Sequence, residues 1–158
     1  MESTVATTRH ELRSDAAEGA VAWARPTIAL IGRILFGIIF FTALPNHFKA
    51  GTIAYAASAG VPFAGILVPA SGILAFLGAT SVALGYRAKL GAWLLVAFLV
   101  PVTLAMHAFW NVADPGMRGI QYIMFLKNVS MLGAALLLTQ VGSGPLSLDG
   151  GRESGGRN

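Results

Sequence analysis

The side chains able to do chemistry gather in three short stretches of this chain. They are His47 and Lys49, then His107 and Asn111, then Gln121, Lys127 and Asn128. Imidazole and ammonium groups can hold an anion or carry a proton, and carboxamides can orient whatever is held. Thr103, His107 and Asn111 are spaced by four, so a helix continuing past His107 sets them on one polar stripe. On the following stretch Gln121, Phe125 and Asn128 share a face, while Met124, Lys127 and Met131 share its neighbour. Trp110, about one helical turn after His107, is placed to flank a planar ring such as a quinone headgroup, although aromatic anchoring at a membrane interface is the simpler role.

Other chemistries are excluded by residues that are missing. The chain has no cysteine, which removes disulfides, thiol redox chemistry and covalent haem attachment. His47 and His107 lack a third ligand, so no metal or haem is expected. No serine, histidine and acid are placed to form a triad, and no residue can be assigned a catalytic role.

The elements that must position these groups are long and apolar. Of 158 residues, 55% are hydrophobic and 11% charged, against about 25% charged in soluble domains. Residues 19–113 carry no carboxylate at all, which a water-facing surface of that length would not tolerate. Four spans are predicted at about 27–44, 61–84, 88–107 and 119–140, each near the roughly 20 residues that cross a hydrocarbon core. In lipid only helices satisfy their own backbone, and the tight turn Gly85-Tyr86-Arg87 makes the middle pair antiparallel. The expected fold is therefore an all-α, four-helix, up-down-up-down membrane bundle. Residues 1–26 read as a cytoplasmic surface or disordered tail without a signal peptide, and 150–158 as a disordered cytoplasmic tail.

Lysine and arginine outside the spans orient the bundle. Arg9, Arg13, Arg25, Arg87, Lys89, Arg152 and Arg157 fall on one side, against Lys49 and Arg118 on the other. Both termini are thus expected in the cytoplasm, with loops 45–60 and 108–118 outside. The net charge of +4 follows this topology, with basic residues scattered singly, and nucleic acid is not an expected partner.

Two cations lie well inside spans. Lys127 sits about eight residues, or about 12 Å, inside the fourth. It can snorkel, hold an anion or polar headgroup together with His107, or meet another subunit. Arg33 lies near the opposite end of the first span, where it can snorkel to lipid headgroups or tie down helix-end carbonyls. In the second span Ser71, Ala75, Ala79 and Ala83 form a four-residue stripe of small residues suited to helix packing. Pro69 and Pro101 are expected to kink their helices, the latter aiming the end of the third span.

Several runs resemble the DoxX family of bacterial membrane proteins. They are Arg33 to Gly37, Gly60-Val61-Pro62, Leu84-Gly85-Tyr86-Arg87, His107-Ala108-Phe109-Trp110, Phe125-Leu126-Lys127-Asn128, Gly133, and the closing Gly142 to Asp149. The likeness covers 27–149 and implies a multi-pass protein of the bacterial inner membrane that serves as a subunit of a quinone-linked redox system. On that expectation His107, Lys127, Asn128, Gln121, Trp110 and Asn111 line an outer pocket for quinone or a small anion, with His47 and Lys49 nearby and Arg33 on the cytoplasmic side. Many members of that family carry a glutamate in the second span, and this chain does not, so catalysis by the chain alone is not expected. The alternative is a non-catalytic structural or assembly subunit of a larger membrane complex.

Overall fold

A computed structural model describes residues 26–150. The N-terminal and C-terminal tails, with Arg9, Arg13, Trp23, Arg25, Arg152 and Arg157, lie outside the described residues. The described chain is all α: helix α1 over 26–43, α2 Ala50–Ser58, α3 Ala64–Leu84, α4 Ala88–Met106 and α5 Pro115–Val141, with 3-10 turns at Leu44–Phe48 and Phe109–Asn111. Four segments are long and apolar enough to cross a membrane, namely α1 with its 3-10 extension, α3, α4 with the turn after it, and α5. The protein is a four-helix multi-pass membrane protein, with no strand among its described residues.

Successive long helices run antiparallel. Gly37 of α1 faces Ala79 of α3, while His47 reaches Gly72. Gly78 and Gly91 bring α3 and α4 together so closely that a Cβ on Gly91 would lie 2.8 Å from the Gly78 carbonyl oxygen. Small residues allow this approach where lipid gives no hydrophobic drive to helix pairing. The buried face of α3 is Val68, Gly72, Ala75, Gly78, Ala79 and Val82, which follows the 3.6-residue period. The strict four-residue stripe expected from Ser71 to Ala83 drifts off this face, and only its middle members Ala75 and Ala79 are in the core with Phe40, Leu95, Phe98 and Leu99.

The α3–α4 turn and the end of α5 close one end of the bundle. Gly85, at φ 65°, ends α3 in a Schellman motif in which Tyr86 N–H reaches the Ser81 carbonyl and Gly85 N–H the Val82 carbonyl. No other residue fits there, because a Cβ would also strike the Ser147 side chain. Beyond α5 the segment 142–150 folds back as a strap. Its Asp149 N–H donates to the Gly85 carbonyl at 2.9 Å, and the Asp149 carboxylate accepts from Ala88 N–H at the start of α4.

Arg33 holds this strap to α1. The side chain is 3% exposed, and its guanidinium donates to the carbonyls of Ser143 and Leu146, the latter at 2.6 Å. The arginine lies under the strap instead of reaching out to headgroups, with its Nε buried and unpaired. A planar fork suits two neighbouring carbonyls in a way a lysine does not. Replacing Arg33 by methionine keeps the bulk but orphans both carbonyls, at about 1–3 kcal/mol each. The expected result is faster hydrogen exchange across 142–150 and a lower unfolding temperature in detergent, with Arg33→Lys recovering only part of the loss. Unchanged exchange in Arg33→Met would show that the strap is held by other contacts.

Candidate functional site

The polar end is built around a short helix that the sequence reading treated as loop. Pro45 opens a 3-10 turn after α1, Lys49 in extended conformation breaks it, and the alanine-rich run Ala50–Ser58 forms α2. Ala56 of α2 is fully buried against Ala64 and Val68 of α3, with Ile53, Val61 and Met106 packed around them. This helix therefore roofs the end of the bundle between α3 and α4. The signal for it was present in the spacing of Ile53, Ala56 and Ala57 and in the high helix propensity of alanine.

His107 is not on a continuous helical stripe. The α4 helix ends at Met106, and His107 leaves helical geometry at φ −124°, ψ 36°. Thr103 turns inward and donates to the Leu99 carbonyl, while Asn111 sits in the following 3-10 turn, so the expected stripe of three is broken. His107 instead meets α5, with its Nδ1 2.8 Å from Gln121 Oε1. The Gln121 amide nitrogen donates to the Tyr55 hydroxyl at 3.4 Å, and Tyr55 donates to the Met106 carbonyl at 3.3 Å. Donors and acceptors agree along this relay only if His107 carries its proton on Nδ1. Tyr55, which the sequence reading did not single out, thereby ties α2 to an α4 carbonyl left open by the helix end.

His47 is used in a similar way. Its Nδ1 donates to the Ala43 carbonyl at 3.0 Å, closing the end of α1, and its ring packs against Phe98 at 5.8 Å. It also forms one wall of an apolar cavity of about 480 Å³ between α2, α3 and α4, lined further by Thr52, Val68, Ser71, Pro101 and Met106. A second cavity of about 280 Å³ holds Tyr55, Asn111 and Gln121, and shares Ala105 and Met106 with the first. Ala97 and Pro101 both line the larger space, where Pro101 interrupts the α4 hydrogen bonds.

The other predicted site residues disperse. Lys127 is exposed on α5, and its Nζ contacts only Met124 Sδ, at 3.3 Å. Six residues past Gln121, it lies about 240° further round the helix, away from His107. Asn128 is 5% exposed, buried on the α5 face opposite the lipid. Trp110 is half exposed and packs edge-on to Phe109 and Phe125, anchoring the loop after α4 on α5. Lys49 is exposed at the start of α2. The shared pocket of His107, Lys127 and Trp110 does not form, because the break at His107 and the helical rotation of α5 point them apart.

This helix order and closing strap can be set against known proteins. The profile of the SURF4 family matches residues 17–154. The chain belongs to the SURF4 family. Among relatives of this SURF4-family chain, inner membrane protein YphA of Escherichia coli (strain K12) is 32% identical over 128 residues, covering 80% of this chain and 91% of the relative. Inner membrane protein YqjF of the same organism is 32% identical over 122 residues, covering 76% and 88%. ER-derived vesicles protein ERV29 of Saccharomyces cerevisiae (strain ATCC 204508 / S288c) is 29% identical over 77 residues, 49% of this chain but only 24% of the relative. No solved structure matches it.

These findings correct the DoxX resemblance and the redox subunit built on it. The runs that carried the likeness are architectural here: Gly60 and Gly85 make turns at positive φ, and Gly142–Asp149 forms the strap. They describe how a small four-helix membrane protein turns and closes, and they bring no redox chemistry. The resemblance on which a quinone-linked role rested is thereby withdrawn.

The relay makes a direct prediction for the SURF4-family fold. Gln121→Leu removes the link between His107 and Tyr55, leaving polar groups unpaired at about 1–3 kcal/mol. Hydrogen exchange in Ala50–Ser58 should rise selectively while α3 and α4 stay protected. Tyr55→Phe should have a smaller effect, since its bonds are long. Equal protection of α2 in wild type and Gln121→Leu would remove the relay from the account of how α2 is held.

Proposed function

We propose that the protein is a non-catalytic subunit of the bacterial inner membrane that binds and helps assemble other membrane proteins, with its polar end as the recognition end. The observation that carries this reading is the use to which the chemistry-bearing groups are put. His47 donates to its own helix end, and His107 joins Gln121 and Tyr55 in bracing α2. The larger cavity, which His47 alone of these groups lines, is apolar in most of its lining, and among its lining residues there is no carboxylate. A wall of braced helices around an apolar recess suits the capture of a protruding apolar side chain better than bond-making. The relatives' names are in keeping with this: the two bacterial proteins are named for the inner membrane and the yeast protein for ER-derived vesicles.

The same reading sets the recognition end outside the cytoplasm. Arg87 and Lys89 lie at the strap end, with Arg9, Arg13, Arg25, Arg152 and Arg157 expected on that side from the sequence, while Lys49 and Arg118 lie at the polar end. Positive charge is retained inside, so both termini are cytoplasmic. Single cysteines placed beside Lys49 or Arg118 should react with an impermeant reagent added to intact spheroplasts, and one beside Arg87 should react only after lysis. The reverse pattern would turn the bundle over.

Assembly has its own test. In mild detergent the protein should run with another membrane protein at fixed stoichiometry, and that protein's assembled form should fall several-fold in cells lacking this chain. Ala105→Phe, which fills the larger cavity, should weaken the association. A chain that runs alone, with every membrane complex intact in its absence, would overturn the proposal.

A further inference from the structure

The geometry points to the lipid-facing side of α5 as a docking surface for a transmembrane helix of another protein that carries an aspartate or glutamate at mid-bilayer depth. The inference rests on the assembly reading and names the partner's chemistry.

Lys127 lies twelve residues after Pro115 and fourteen before Val141, so it is near the middle of α5, about 18 Å from one end and 21 Å from the other. A helix of this length exceeds the hydrocarbon core of about 30 Å by about 10 Å. The ammonium leans one turn toward the polar end, to Met124 Sδ, which still leaves it about 9 Å below the hydrocarbon boundary of a centred helix. Phosphates of lipid headgroups lie beyond its reach. A thioether is a weak acceptor and cannot balance a charge.

Among the described residues nothing neutralises Lys127. Residues 26–113 and 115–148 contain no aspartate or glutamate. Asp114 stands at the far end of α5, where its Oδ1 accepts from Met117 N–H, and Asp149 caps α4 at the opposite end of the bundle. The described residues of a second copy repeat the same distribution and bring no acid to this depth. The counter-charge therefore comes from a different protein.

The surface around Lys127 fits a helix. Ile123, Leu126, Ser130, Gly133 and Leu137 are exposed on the same side, opposite the buried Asn128, Ala135 and Thr139. Gly133 has open space where its Cβ would stand, so a partner backbone can approach closely there. An acid arriving against this side finds the lysine at the edge of the contact and excludes lipid from the pair.

The test uses the full chain in bacterial inner membranes, with a photo-crosslinking residue at Ile123 or, as control, at Leu35 on α1. The probe is a leucine-rich transmembrane helix with one central Asp, Asn or Leu. The Asp helix should crosslink from Ile123 about ten-fold more than the Leu helix, and Lys127→Met should remove the excess. Lys127→Glu should lose the Asp helix and gain one bearing a central Lys, which a folding defect would not produce. An unchanged unfolding temperature for Lys127→Met is expected, because the side chain is exposed and its hydrogen bond goes only to the weak acceptor Met124 Sδ. Equal crosslinking of Asp and Leu helices, or an excess that survives Lys127→Met, overturns the inference. So does an Ile123 crosslink between two copies, or one to a native membrane protein without an intramembrane acid. That last outcome leaves the assembly reading standing, whereas loss of any stoichiometric partner overturns both.

Discussion

A bilayer offers no water to a hydrogen-bonding group that its own chain leaves open, and the described residues are organised by that fact. Polar side chains inside the spans turn to carbonyls: Thr42 to Ile38, Ser71 to Val68, Thr80 to Phe76, Thr139 to Leu136. The larger polar groups do the same across elements, with Arg33 on the strap, His47 on the end of α1, and Tyr55 on the end of α4. Groups that in a soluble protein would advertise chemistry serve here to finish helix ends.

The same fact explains what was legible in the sequence. Four helices followed from apolar length alone, and the α3–α4 turn from Gly85-Tyr86-Arg87, because both are dictated locally. Helix α2 was missed because it is short and lies where the charge pattern marks an exterior loop, so its amphipathic spacing had no long apolar run to confirm it. The polar stripe through His107 failed for a related reason. Spacing by four predicts a shared face only while the helix lasts, and nothing in Met106-His107-Ala108 marks its end by type. Arg33 could be narrowed to headgroups or helix-end carbonyls, but its acceptors are more than a hundred residues away and no local pattern names them.

Family likeness followed a parallel course. Gly60 and Gly85 make turns at positive φ, and the closing Gly-Ser-Gly-Pro run opens the strap, so these residues speak for architecture. The match over residues 17–154 reads the whole order of such features and places the chain in the SURF4 family. On the proposed reading, function rests on surfaces instead of on a reactive constellation: a braced apolar recess at one end, and one helix whose outward side carries a cation with no acid beside it among the described residues.

The strap also imposes an order of events on synthesis. Arg33 enters with the first helix, yet its acceptors lie 110 and 113 residues further along the chain. The N-terminal cap of α4 likewise waits for a carboxylate 61 residues downstream. Until α5 and the segment after it have been made, the guanidinium has neither of these acceptors, so the contact between α1 and the strap cannot form. The strap is therefore fastened last, and a chain ending at Val141 would lack the bonds that tie α1 and the start of α4 to it.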